Sequence, residues 1–195
     1  VHSEHEPWVP SPMPGVDRRM LDRVGEEVAR ATSIVRYAPN STFSAHTHGG
    51  GEEFIVLDGV FEDETGAFPA GTYVRNPPGS SHTPGSTPGC TIFVKLWQFA
   101  PDDDLQFRKD MHAEAQRVDD GRSVAVLHED ARERVTSTGA APGGAFELRD
   151  PGGIDLLVLD GTLATHTRTL HRASWLPLPA CLAFAGICRH AGARG

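Results

Sequence analysis

The sequence predicts an all-β fold made of two related barrels in tandem, and three observations lead there. Short alternating or β-branched runs are separated by turn residues throughout, with Gly 21 and Pro 15 in 195 residues, the punctuation an all-β chain needs. A segment at Phe54-Ile55-Val56-Leu57-Asp58-Gly59 recurs as Leu156-Leu157-Val158-Leu159-Asp160-Gly161, and such self-similarity marks a duplicated unit. Between His46 and His82, three histidines and a glutamate are spaced to converge inside a small barrel. Interior positions there otherwise hold apolar side chains, so a metal is needed to make burial of this set tolerable.

The elements follow in order. Residues 1–15 are rich in proline (Pro7, Pro10, Pro12, Pro14), which excludes a helix or a central strand. Trp8-Val9 fit a sheet edge or a barrel mouth, and the polar start, with His2 and His5, reads as a frayed tail. Residues 16–31 admit a short helix through Met20, Leu21, Val24 and Val28, but Gly25 weakens it and short strands fit equally. Thr32 to Tyr37 is a strand, Ala38-Pro39-Asn40 a turn, and Thr42 to His48 the next strand, ending in three glycines. Glu52 to Leu57 is a strand, and Asp58-Gly59 reads as a hairpin turn into Val60-Phe61-Glu62-Asp63. Thr65-Gly66 turns again, Thr72 to Arg75 is a strand, and Pro77-Pro78-Gly79 is a preset turn delivering His82. Cys90 to Phe99 is the longest apolar strand of the first half.

The acidic stretch from Pro101-Asp102-Asp103-Asp104 to residue 121 reads as a linker between domains at 1–100 and 122–195. Strand patterning resumes at Ser123 to His128 and Glu133 to Ser137. Carried along the repeat, Tyr73 falls on Trp175 and Pro77 on Pro179, while Ala38-Pro39-Asn40 and Phe43 match Ala141-Pro142-Gly143 and Phe146 after loss of one loop residue. The positions of His46, His48, Glu52 and His82 become Arg149, Pro151, Ile154 and Phe184. The second barrel is thus expected to be degenerate and ligand-free. It is also expected to be incomplete, since Gly195 falls where the counterpart of strand 90–99 begins.

Composition excludes several classes of function. A formal charge of −8 and a pI near 5.6 argue against nucleic acid, since phosphate binding wants a basic face. No basic amphipathic stretch suggests a membrane surface, and no apolar run is long enough to span one. Cys90, Cys181 and Cys188 form no CxxC pair, which fits a reducing, cytoplasmic setting. All three read as packed thiols.

The candidate metal ligands are His46, His48, Glu52 and His82. Histidines two apart in an extended segment project to one face, and imidazoles with a carboxylate suit zinc or iron. Glu53 faces the other way and fits an outer hydrogen bond or solvent. Tyr73, Phe93 and Trp97 are candidates to line an apolar pocket, with core packing the plainer role. His112, His128, His166, His171 and His190 show no ligand spacing and read as surface or linker groups.

His46-x-His48-x3-Glu52-x6-Gly59 and Gly71-x5-Pro77-x-Gly79-x2-His82 resemble the two signature motifs of the cupin superfamily. Trp8-Val9-Pro10, Arg36-Tyr37-Ala38-Pro39, the run Ala45 to Gly59, Gly71 to Pro84 and Gly89 to Gln98 are similar to the cupin domain of the ChrR anti-sigma factor. This resemblance spans residues 7–99. It implies a double-stranded β-helix, or jelly-roll, barrel binding one divalent metal, zinc in that family, through the four residues above, with the tandem copy making a bicupin.

The same resemblance frames the function. Nothing in residues 1–31 resembles the family's N-terminal helical, zinc-binding domain that grips the sigma factor, which argues against direct sigma-factor binding. A sensory or regulatory metal protein is one expectation. The other comes from stand-alone relatives that include iron-dependent dioxygenases, and it is a non-haem iron(II) enzyme acting on a small molecule. Cupins commonly pair, so a homodimer is a further expectation.

Overall fold

Turn residues cut the chain into short extended pieces, and the backbone follows that pattern. The computed structural model describes residues 1–26, 28–119 and 121–189, among which strands dominate and no α-helix forms. Contacts divide the chain into a first unit, Glu6–Ala113, and a second, Val1–His5 with Glu114–Gly195.

The first unit contains β1 (Val9–Pro10), β2 (Val16–Val24), β3 (Arg30–Tyr37), β4 (Ser41–Thr42), β5 (His46–Thr47) and β6 (Glu52–Asp63). It continues with β7 (Gly66–Pro69), β8 (Thr72–Asn76), β9 (Ser81–His82), β10 (Gly85–Ser86), β11 (Cys90–Leu96) and β12 (Phe107–Asp110). One sheet runs β1-β2-β3-β11-β6-β10-β4, with β7 and β8 also on β6 and β12 on β8. A β5–β9 pair stands apart from it. Its apolar core gathers Val35, Tyr37, Phe54, Val56, Ile92 and Val94. These positions alternate along β3, β6 and β11, so period-2 patterning builds the interior.

Several local expectations change. Of the two alternatives left open for residues 16–31, the strand is the one formed over residues 16–24, because β2 pairs with β3 along its length, and Gly25 at φ 110° ends it. The expected strand from Thr42 to His48 is broken into β4 and β5. Asp58-Gly59 makes no hairpin, for β6 runs through it. Cys90 pairs with Gly59 and Thr91 with Asp58, but Ile92 pairs with Val56, leaving Leu57 as an extra residue. The dipeptide is therefore a bulge that bends β6 from its β8 partner toward β7 and β10. Gly59 is obligatory there: its φ is 71°, and a Cβ would stand 2.0 Å from the Gly89 carbonyl oxygen.

The stretch expected to be a linker also carries structure. Phe107–Asp110 form β12 and pair with β8 in register Phe107↔Arg75 to Asp110↔Thr72. Arg75 draws this segment in, since its guanidinium, 1% exposed, pairs with Asp103 and stacks 4.1 Å over the Phe99 ring.

The second unit holds β13 (Gln116–Asp119), β14 (Arg122–Glu129), β15 (Arg134–Ala140), β16 (Ala145–Arg149) and β17 (Ile154–Leu157). β18 (Thr162–Ala164), β19 (Thr169–His171), β20 (Trp175–Leu178) and β21 (Ala183–Arg189) follow. Its registers repeat those of the first unit displaced by 102 residues. Glu52↔Asn76 becomes Ile154↔Leu178 (52 to 154, 76 to 178). Val60↔Pro69 becomes Thr162↔His171, and Gly85↔Glu62 becomes Ile187↔Ala164. The expected counterpart of β11 lies outside the described residues.

The first residues are not frayed. Ser3 is 1% exposed, the Trp175 N–H donates to the Val1 carbonyl at 2.9 Å, and His2 Nδ1 lies 3.0 Å from Ser174 Oγ. Backbone pairing and a buried serine hold this short segment on its own unit. Cys181, expected to be packed, is exposed on a turn at φ 68°, whereas Cys90 is buried and Cys188 packs against the second core.

Candidate metal centre

The site is assembled by three backbone devices. β5 and β9 pair so that His46 and His82 stand directly opposite each other. His48 is fixed from both sides of its peptide: its N–H donates to Ser80 O at 2.9 Å, and its carbonyl accepts from Gly79 N–H at 2.8 Å. The turn at Pro77-Pro78-Gly79 thus locks the two histidine segments together. Glu52 enters as the first residue of β6, opposite Asn76 of β8.

The glycine loop between His48 and Glu52 is shaped by aromatic rings. A Cβ at Gly50 would stand 2.1 Å from the Trp97 indole, and one at Gly51, where φ is 78°, 2.4 Å from the Phe99 ring. Trp97 is itself held at φ 60°, with its N–H on the Gly51 carbonyl at 3.1 Å. Trp97, 42% exposed, therefore clamps the loop rather than lining a pocket. Gly50→Ala is expected to destabilise the protein by about 1–3 kcal/mol through overpacking, seen as a lower denaturant midpoint.

One ligand atom from each of His46, His48, Glu52 and His82 lies within 4.8 Å of all the others. His48 Nε2 is 3.6 Å and His82 Nε2 3.5 Å from Glu52 Oε2. The three imidazole centroids are 4.7–5.0 Å apart. His46 Nδ1 lies 2.9 Å from the Ser44 carbonyl oxygen, which can only accept. That nitrogen therefore carries the proton and leaves the Nε2 lone pair for a ligand.

The donor set fits a divalent cation. His48 Nε2 and His82 Nε2 are buried with no hydrogen-bond partner in the protein, a costly state unless a ligand takes their lone pairs. Burial, aided by the neighbouring His82 and His46, pushes the His48 imidazole down to about 3. Burial and His46 also hold His82 below the ordinary histidine range, against the pull of Asp63. Both rings are thus neutral at neutral pH, as ligation requires. Burial pushes the Glu52 carboxyl up to about 7, against the Asn76 hydrogen bond. A cation of charge two would offset that cost and hold Glu52 ionised.

The opposite face of the same sheet has separate chemistry. Ile55 pairs with both Tyr73 and Phe93, so these rings share the face of Glu53 and Ile55, away from Glu52. Neither lines the site. Tyr73 Oη donates to Glu53 Oε2 at 2.6 Å, and Arg75 Nη1 lies 3.8 Å from the same oxygen. Glu53 therefore makes an outer hydrogen bond, one of the two roles expected for it, and is buried at 6% exposure rather than solvated.

Sequence spacing missed several neighbours. Tyr37 is buried in the core, and Glu52 is among the groups that raise its phenol above the ordinary tyrosine range, second to burial itself. Asp63, Asn76, Gln106 and Arg108 also reach the ligands through contacts given below. His128 is not a surface group but 6% exposed, and with Asp130 and Glu133 it forms a second cluster of ligand types. Asp130 Oδ1 there accepts the N–H groups of Arg132 and Glu133, and Oδ2 lies 3.3 Å from His128 Nε2. That cluster closes the β14–β15 turn. In the second unit Phe184 takes the place of His82 and is 4% exposed in an apolar core with Val158, Leu163 and Leu170.

Residues 1–100 match the family model described as ChrR Cupin-like domain. Among curated proteins none matches. A Nostoc punctiforme protein provisionally named a dioxygenase is similar over 96% of this chain and 74% of its own, at 14% identity and a TM-score of 0.75. A Pseudomonas aeruginosa protein provisionally named glyoxylate-induced is similar over 95% of this chain and 80% of its own, at 16% identity and a TM-score of 0.69. A chain of the Rhodobacter sphaeroides complex of SigE with the anti-sigma ChrR is 26% identical over 48% of this chain and 49% of its own, with a TM-score of 0.41. The first two likenesses show a shared fold along nearly the whole chain.

Proposed function

The chain belongs to the ChrR Cupin-like domain family through residues 1–100, and on that premise we propose that it is a metal-binding cupin with a sensory or regulatory role. One zinc ion per chain would be held by His46, His48, Glu52 and His82. The observation that carries this reading is the convergence of four ligand atoms within 4.8 Å, including two buried ring nitrogens without a partner. Four protein ligands would leave no open coordination position, as in non-catalytic zinc sites. The counterpart positions Arg149, Pro151, Ile154 and Phe184 offer no imidazole, which supports one metal rather than two. A signal would act by changing the metal or a ligand.

A second reading is favoured by one feature. His46 is less buried than the other three candidate ligands, and its side is the one from which a small molecule would approach. An iron(II) ion would there supply Lewis acidity and oxygen chemistry, while the chain's own groups hold and orient it.

The two readings separate in one experiment. Protein purified without a histidine tag is expected to contain one zinc per chain, and its iron(II)-loaded form to consume no oxygen with a diketone. Substrate-dependent oxygen uptake would overturn the sensory reading in favour of the enzyme.

A further inference from the structure

We propose that the segment from Asp103 to Arg108 braces the metal site from outside, with Gln106 positioning Glu52 and Arg108 positioning His82. This rests on the reading of the four converging residues as metal ligands.

Two contact chains lead inward. Gln106 Nε2 donates to Asn76 Oδ1 at 3.1 Å, and Asn76 Nδ2 donates to Glu52 Oε2 at 3.3 Å. Because Gln106 occupies the Asn76 oxygen, the Asn76 amide must present its NH2 to Glu52, and a carboxylate so held keeps one orientation. On the other side, Arg108 Nη2 lies 3.7 Å from Asp63 Oδ2 and donates to Thr65 Oγ1 at 2.6 Å. Asp63 Oδ1 accepts from the Thr65 N–H at 2.7 Å, which leaves Oδ2 facing His82 Nδ1 at 3.6 Å.

His82 Nδ1 is buried and without a hydrogen bond, and the Asp63 side chain is 3% exposed. Ligating histidines almost always donate their second ring N–H to such a carboxylate, which fixes the tautomer and aims the other nitrogen at the metal. Arg108 balances the Asp63 charge and holds that carboxylate between arginine and imidazole.

Gln106 and Arg108 are two residues apart in an extended segment, so they reach inward from one face. Phe107 between them packs on Tyr73, with ring centroids 6.0 Å apart. Arg75 pins the segment through Asp103. The brace therefore follows the two signature motifs in the chain and belongs to neither.

The test uses the full chain with Gln106→Ala, Arg108→Met, Arg108→Lys and Asp63→Asn. Zinc affinity is measured by chelator competition, the cobalt(II) spectrum is recorded, and denaturant midpoints are compared. Asp63→Asn, which keeps the oxygen that caps Thr65, is expected to weaken zinc binding about 10–100-fold, the range for second partners of metal ligands. Gln106→Ala and Arg108→Met are expected to fall near the lower end, with shifted cobalt bands and little change in midpoint. Arg108→Lys should recover most of the affinity. Unchanged affinity and cobalt spectra in all variants, beside a wild-type protein that binds zinc, would overturn the brace. A wild-type protein that binds no zinc would instead overturn the metal reading beneath it.

Discussion

Arg75→Ala is expected to destabilise the first unit by about 3–5 kcal/mol, the scale for breaking a buried ion pair by removing one partner. Arg75 is 1% exposed, pairs with Glu53 and Asp103, and stacks over Phe99. Its loss removes the guanidinium from two carboxylates whose side chains are 8% and 9% exposed, Glu53 and Asp103. It also frees the segment that carries β12. Urea denaturation checks this, with Arg149→Ala as the control. The pair Arg149–Glu147 is 76% and 62% exposed, so its removal should change stability by less than about 1 kcal/mol. Equal effects for the two variants would remove Arg75 from its assigned role.

Glu52→Gln is expected to separate metal binding from folding. Burial pushes the Glu52 carboxyl up to about 7, so the metal-free protein holds much of it protonated near neutral pH. An isosteric amide then changes little in the metal-free fold. With zinc at 100 times its dissociation constant, the wild-type protein should gain about 2.7 kcal/mol. Under the same conditions the variant should gain far less, because the amide lacks the charge that binds the cation. Thermal melts with and without zinc decide it. An equal shift in wild type and variant would show that Glu52 is no ligand.

Much of the site was legible because its determinants are local. Period-2 projection places His46 beside His48 on one face, and Pro77-Pro78-Gly79 presets the turn that brings Ser81-His82 against His46-Thr47. The recurring segment has the same offset as two strand registers, Glu52↔Asn76 and Ile154↔Leu178. The misreadings are positions where distant partners decided. Asp58-Gly59 has the composition of a hairpin turn, yet β11 runs beside it and makes it a bulge. Residues 101–110 are acidic and polar like a linker, but a buried arginine on β8 supplies the charge that folds them onto the barrel.

The sequence by itself determined the candidate ligand types, their spacing and the turns that bring them together. Each of these depends on side-chain chemistry and backbone preference within a few residues. Only the tertiary structure decided what surrounds the ligands: Asn76 on Glu52, Asp63 beside His82, and Gln106 and Arg108 behind them. The physical reason is that these contacts join residues 19 to 45 positions apart in the chain. No local periodicity encodes such pairings, which are set by which strands meet across the barrel.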